Sequence, residues 1–120
     1  MRSYRTLVAW KRAHAALILG LRETDKANQP RTWNLFDQMR RAIISVEANI
    51  VEGYALNTPA LFRRHLRIAI GSAAEAECLV RAAAELTYLD IAIARELAAS
   101  LDGAIGALQG LLRSPPATGP

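Results

Sequence analysis

Apolar side chains recur along the chain in steps of three and four, and breaks in that rhythm divide it into four helical segments. The first, from about Ser3 to Thr24, sets Leu7, Trp10, His14, Leu17 and Leu21 on one face. The polar run "TDKANQP" ends it. The second, from about Trp33 to Gly53 or Tyr54, repeats Phe36, Met39, Ile43, Val46 and Ile50. The third opens with "NTPALF", where Thr58 can cap and Pro59 suits the first helical position. Its row is Phe62, Leu66, Ala69, Ala73, Ala76, Val80 and Ala83. Asp90 is placed to cap the fourth, whose row is Ile93, Leu97, Leu101, Ala104, Leu108 and Leu111. The closing "SPPATGP" cannot continue a helix. Residues 1–113 are therefore expected to form one domain and 114–120 a flexible Pro-rich tail. No period-two run or Asn-Gly hairpin turn argues for strands. Four periodic rows with short connections predict an all-α fold, an antiparallel up-down four-helix bundle.

The second segment carries more apolar surface than one core needs. In "RRAIISVEANIVEG", with Ile43 inward, Ile44, Ala48 and Val51 make a second row about a quarter-turn away at ~100° per residue. Arg40 and Glu47 lie between the rows, while Arg41, Ser45 and Glu52 fall nearly opposite the core. Ile68, Ile70 and Leu79 on the third segment, and Ile105 and Leu112 on the fourth, also stand outside their rows. Two accounts fit: one broad core, or contact with another subunit. We adopt the second, because a monomer seldom leaves a large apolar patch in water. Arg40, Ile44, Glu47, Ala48 and Val51 are then the candidate oligomer interface, with Arg40 and Glu47 a charge pair at its edge.

Composition narrows the chemistry. A chain of 120 residues, 52% hydrophobic, is large enough for one core and too small for two. Cys78 is the single cysteine and cannot form an internal disulfide, which fits a reducing cytoplasm. The arginines near the start interrupt any leader-like apolar run, and no uncharged stretch is long enough for a membrane span. A cytoplasmic location is expected.

Catalytic patterns are missing. Neither His14 nor His65 has a Glu three residues before it, as a bundle di-metal site would require. Nor is there a Walker loop, a nucleophile elbow or a dinucleotide fingerprint. The expectation is no enzyme, no metal and no cofactor. Cys78 falls opposite its core row, and both histidines read as hydrogen-bonded, partly buried side chains. Gly71 and Gly106, inside helices, read as marks of close helix approach.

The charge is basic, with 15 Lys+Arg against 11 Asp+Glu and a formal net charge of +4. On the third segment Arg63, Arg67 and Arg81 fall in one outward arc, with Arg64 beside the first two. The row is about 27 Å long at ~1.5 Å per residue. Arg5 and Arg12 face outward on the first. These six are the candidate nucleic-acid-binding residues, suited to tracking phosphates of RNA or DNA. The plain alternative is a solvated face, with Arg81 paired to Glu77 or Glu85 one turn away.

The same residues carry a resemblance. "YRTLVAWKRAHAAL", "DQMRRAIISVEANIVEG", "FRRHLRIAIGSAAEAE" and "GLLRS" resemble the bacterial four-helix-bundle proteins encoded in 23S rRNA intervening sequences, from about Tyr4 to Ser114. Two departures stand out. Glu47 occupies a place where that family usually has proline, and "QPRTWNLFDQ" lacks the acidic residue often found after its proline. Both lean towards the related accessory variability proteins (Avd) of diversity-generating retroelements, leaving both branches open. The resemblance implies a homopentamer without known catalysis. For the Avd branch it also implies binding of nucleic acid and a reverse transcriptase. Asn49, Glu52, Ser72 and Glu75 match the family motifs. With Arg41 they are expected to form a structural polar network tying the second helix to the third.

Overall fold

The capping signals place two of the four helices. Thr58 Oγ1 accepts from the Leu61 amide at 3.3 Å with Pro59 in the first turn, and Asp90 Oδ2 accepts from the Ala92 amide at 3.2 Å. The computed structural model describes residues 3–115, in the order α1 (Val8–Lys26), α2 (Trp33–Leu56), α3 (Pro59–Glu85) and α4 (Ile91–Arg113). Short 3₁₀ turns at Tyr4–Thr6 and Pro30–Thr32 precede α1 and α2. The first helix therefore starts later than the pattern suggests: Leu7 is extended and separates the turn from α1. Ser114 and Pro115 follow α4, and the part of the expected tail at 116–120 lies outside the described residues.

Each helix packs on its neighbours in the chain, and α1 closes the ring against α4. The diagonal pairs α1/α3 and α2/α4 do not approach within 8 Å between Cα atoms. Between α2 and α3, Gln38 meets Glu75, Ser45 meets Ser72 and Asn49 meets His65. Partner numbers fall as the others rise, so the helices run antiparallel. The result is an up-down four-helix bundle of 49 × 21 × 19 Å. Its N-terminal turn, the α2/α3 connection and the end of α4 share one end.

On α2 and α3 the expected rows are buried in full, and on α4 Leu97, Leu101, Ala104 and Leu108 form the buried centre. The first helix differs. Its core face is Ala9, Ala13, Ala16, Gly20 and Thr24, while Trp10, His14, Leu17 and Leu21 are half-buried. The reason is steric. Ile43 and Leu97 already fill the centre, and a Cβ at Gly20 would stand 2.8 Å from Ile43 Cδ1. Only a small-residue face fits there, so the bulky row of α1 turns towards its seam with α2.

The close-approach glycines are likewise not the expected pair. A Cβ on Gly71 or Gly106 would meet nothing within 4 Å, whereas one on Gly53 would stand 2.9 Å from His65 Cβ. Because His65 Cβ moves only with its backbone, Gly53→Ala should push α2 from α3 and cost about 1–3 kcal/mol. Gly71→Ala should instead add about 1 kcal/mol, the helix-propensity difference alone. Urea denaturation of the two variants checks both signs.

Candidate nucleic-acid interface

Polar side chains lie along the helix seams rather than in the centre. Between α2 and α3, Ser45 Oγ and Ser72 Oγ are 2.8 Å apart. Asn49 Nδ2 donates to the Ser45 carbonyl at 2.8 Å and to its hydroxyl at 3.1 Å. Asn49 Oδ1 and His65 Nδ1 lie 2.9 Å apart, which sets His65 Nδ1 as the donor, and Glu52 stands 3.6 Å from the same nitrogen. One turn or more along the seam, Gln38 Nε2 donates to Glu75 Oε2 at 2.6 Å. Asn49, Glu52, Ser72 and Glu75 thus all lie on the α2/α3 seam, joined there by Ser45, His65 and Gln38. Arg41 lies apart, paired with Asp37 on its own helix at 3.0 Å. Asp37 sits one turn before it, a spacing readable from the sequence.

Arg40 and Glu47 do not pair with each other. They are two turns apart, and α1 supplies a partner for each: Asp25 at 2.6 Å from Arg40, and His14 at 2.8 Å from Glu47. His14 also stacks on Trp10, with ring centroids 4.8 Å apart and planes 16° from parallel. It is therefore a half-exposed seam residue, not a core one. Ile44 and Ala48 are exposed, and Val51 is half-buried, on the outer side of the same seam.

The candidate phosphate-binding arginines separate by position. Antiparallel folding brings Arg5, Lys11, Arg12, Arg63, Arg64, Arg67 and Arg113 to the half of the bundle that holds the α2/α3 connection. Glu47 and Glu52 accompany them in that half, and Asp102 stands at the midpoint of α4. None of the seven makes an ion pair among the described residues. Arg12 does donate to the Gly103 carbonyl at 3.2 Å, which holds its guanidinium against α4. The Lys26–Glu23, Arg40–Asp25, Arg41–Asp37 and Arg81–Glu77 pairs all fall in the other half. Arg81 belongs there too: it lies beyond the middle of α3, with Nη2 at 2.7 Å from Glu77. The N-termini of α1 and α3 add their positive dipole ends to the basic half.

The α3/α4 seam holds an acidic pair. Glu77 titrates above its ordinary 4.5, chiefly because a hydrogen bond with the Asp102 carboxyl favours the protonated form, with burial adding to this and Arg81 opposing it. Cys78 is exposed beside this pair. Among the described residues, no three His, Cys, Asp or Glu side chains are grouped to hold a metal ion, and no helix is long and apolar enough to cross a membrane.

Compared with known proteins, the chain matches the family model described as 23S rRNA-intervening sequence protein over residues 5–110. No curated protein matches the chain.

The acidic pair has a measurable consequence. A carboxyl whose folded pKa is raised binds its proton more tightly when folded, so its stabilising contribution is full below pH ~4.5 and fades as pH rises through the folded value. The stability of the wild type relative to Glu77→Gln should therefore fall between about pH 4 and neutrality. Urea unfolding across that range reads the difference, and a constant or rising difference would contradict the assignment.

Proposed function

We propose that this chain, which belongs to the 23S rRNA-intervening sequence protein family, is a non-enzymatic scaffold that self-associates and binds RNA or DNA through the basic end of its bundle. One observation carries the nucleic-acid part: of the ten Lys and Arg side chains without an ion pair among the described residues, seven gather in the half that holds the α2/α3 connection and only Arg22, Arg31 and Arg95 stand in the other, where all four Lys and Arg ion pairs lie. A guanidinium free of a carboxylate partner is available to phosphate, and bidentate Arg–phosphate contacts are among the stronger charge-assisted hydrogen bonds. Arg63, Arg64 and Arg67, in the first turns of α3, form the centre of the site, flanked by Arg5 and Arg12. Arg81 plays no part in it.

Self-association is supported by the face that α1 and α2 present together. Ile18, Trp33 and Ile44 keep 41%, 57% and 45% of their surface exposed, and each stands on the outer side of that face. In an assembly such as a homopentamer, as the resemblance suggests, each copy would contribute one basic end, so several weak phosphate contacts act together. The likeness to accessory variability proteins makes a reverse transcriptase and its template RNA the partners to try first. The second reading, a protein-interaction module without a nucleic-acid role, rests on the same apolar face.

Arg63→Glu combined with Arg67→Glu should weaken binding to a short structured RNA. It should also flatten the dependence of log K on log salt by about 0.7–0.9 for each phosphate that is no longer neutralised. Arg22→Glu, the same change of charge at a single position in the other half, should leave both nearly unchanged. Equal affinity for the double variant and the wild type would overturn the site and favour the protein-interaction reading.

A further inference from the structure

A Cβ added to Gly103 would stand 2.8 Å from both Cδ and Nη1 of Arg12 and 3.3 Å from its Cζ. The Arg12 side chain therefore lies in the space that a side chain on Gly103 would fill. At Gly20 the same space is taken by Ile43 of the core, and at Gly53 by His65 Cβ on the α2/α3 seam. At Gly103 it is taken by an exposed cation.

The packing of α1 on α4 does not depend on this contact. Ala9, Ala13 and Ala16 are buried on one helix, and Leu97 and Leu101 on the other. A glycine inside a helix lowers its stability relative to alanine unless something gains from the missing side chain. What gains here is the position of a guanidinium. Arg12 Nη1 donates to the Gly103 carbonyl at 3.2 Å, and a helical carbonyl has a second lone pair free for such a donor. The bond uses one N–H of the guanidinium and leaves the rest of the fork, since Arg12 makes no ion pair among the described residues. Asp102, next to Gly103 in the chain, is engaged instead with Glu77 on the α3 side of α4.

The place where Arg12 is held matters because of what lies across α4. On α3, Arg63, Arg67, Ala74, Glu77 and Arg81 are spaced so that they share one stripe. Ala74, Glu77 and Arg81 of that stripe line the groove beside α4. Arg63 and Arg67 thus flank α4 from the α3 side at the basic end, while Arg12 flanks it from the α1 side. Arg113 is exposed in the last turn of α4 itself. The guanidinium groups form a band running from α1 over α4 to α3.

We propose that Gly103 is a positioning residue of the basic end. By leaving its own place to the Arg12 side chain, it fixes that guanidinium on the outer face of α4 to meet a phosphate of a nucleic-acid backbone that crosses α4 from Arg67. This rests on the nucleic-acid reading above and adds α4 to its surface. A free arginine gives up rotamer freedom when it binds, and one already laid against a helix gives up less. Gly103 contributes to affinity in this way through Arg12.

Gly103→Ala tests the proposal and spares the fold, because the displaced group is the flexible end of an exposed side chain and alanine is the better helix former. Urea unfolding should show no loss of stability. Binding of a short structured RNA should weaken about two- to tenfold, the cost of ordering one rotamer-rich side chain. Arg12→Gln should weaken binding and also reduce the slope of log K against log salt by about 0.7–0.9, one phosphate contact. In the Arg12→Gln background, Gly103→Ala should have no further effect on binding. Wild-type affinity for Gly103→Ala, or an equal weakening in the Arg12→Gln background, would overturn the proposal. If Arg63→Glu with Arg67→Glu weakens binding and Arg12→Gln does not, the proposal falls while the basic end stands. A wild type that ignores the RNA removes both.

Discussion

The bundle depends on one packing constraint: its centre has room for bulky side chains from some helices only. The diagonal helices α2 and α4 fill it with Phe36, Met39, Ile43, Val46, Ile50, Leu97, Leu101 and Leu108. To close around them α1 presents only alanine, glycine and threonine, and α3 presents four alanines among its seven buried residues. Interiors at close-packed density leave no space for a second bulky layer. The large side chains of α1 are displaced sideways as a result, onto the seam with α2 and the surface beside it. On α1 the half-buried Trp10, Leu17 and Leu21 and the exposed Ile18 are thus a consequence of how the core is filled, whereas Trp33 and Ile44 project from α2, whose inner row is itself bulky.

Apolar packing of this kind tolerates sliding, and the polar seam between α2 and α3 opposes it. Ser45, Ser72, Asn49 and His65 satisfy one another across two helices, and a shift of one turn would leave several partly buried donors and acceptors without partners. Gly53 fixes the same interface from the steric side, against His65 Cβ. Holding α3 in this register against α2 also holds Arg63, Arg64 and Arg67 at the end where α1 begins.

The sequence pattern is a good guide where one strong row dominates a helix. On α2 and α3 the large or sole apolar row is also the buried one, and the Thr58, Pro59 and Asp90 signals start their helices where capping chemistry requires. The pattern misleads on α1, where two rows compete. Leu7, Trp10, Leu17 and Leu21 outweigh Ala9, Ala13, Ala16 and Gly20 in hydrophobicity, but volume rather than hydrophobicity decides which faces a filled core. Glycines mislead for a related reason: proximity is a property of the facing helix, so Gly20 and Gly53 cannot be told from Gly71 and Gly106 by their own context. In the candidate nucleic-acid interface, the outward direction of the arginines is readable from helical period, and Glu77 one turn from Arg81 signals the pair that neutralises it. Their segregation to one end becomes visible only when antiparallel topology superimposes the N-terminal turns of α1 and α3.

The proposed function joins two parts, self-association through the α1/α2 face and polyanion binding at the basic end. The most direct test is the solution mass by light scattering, with and without a short structured RNA, at low and at moderate salt. The expected mass is a multiple of the 13.1 kDa chain, rising when RNA is added at low salt and rising less at moderate salt. A 13.1 kDa particle that ignores RNA under both conditions would contradict both parts.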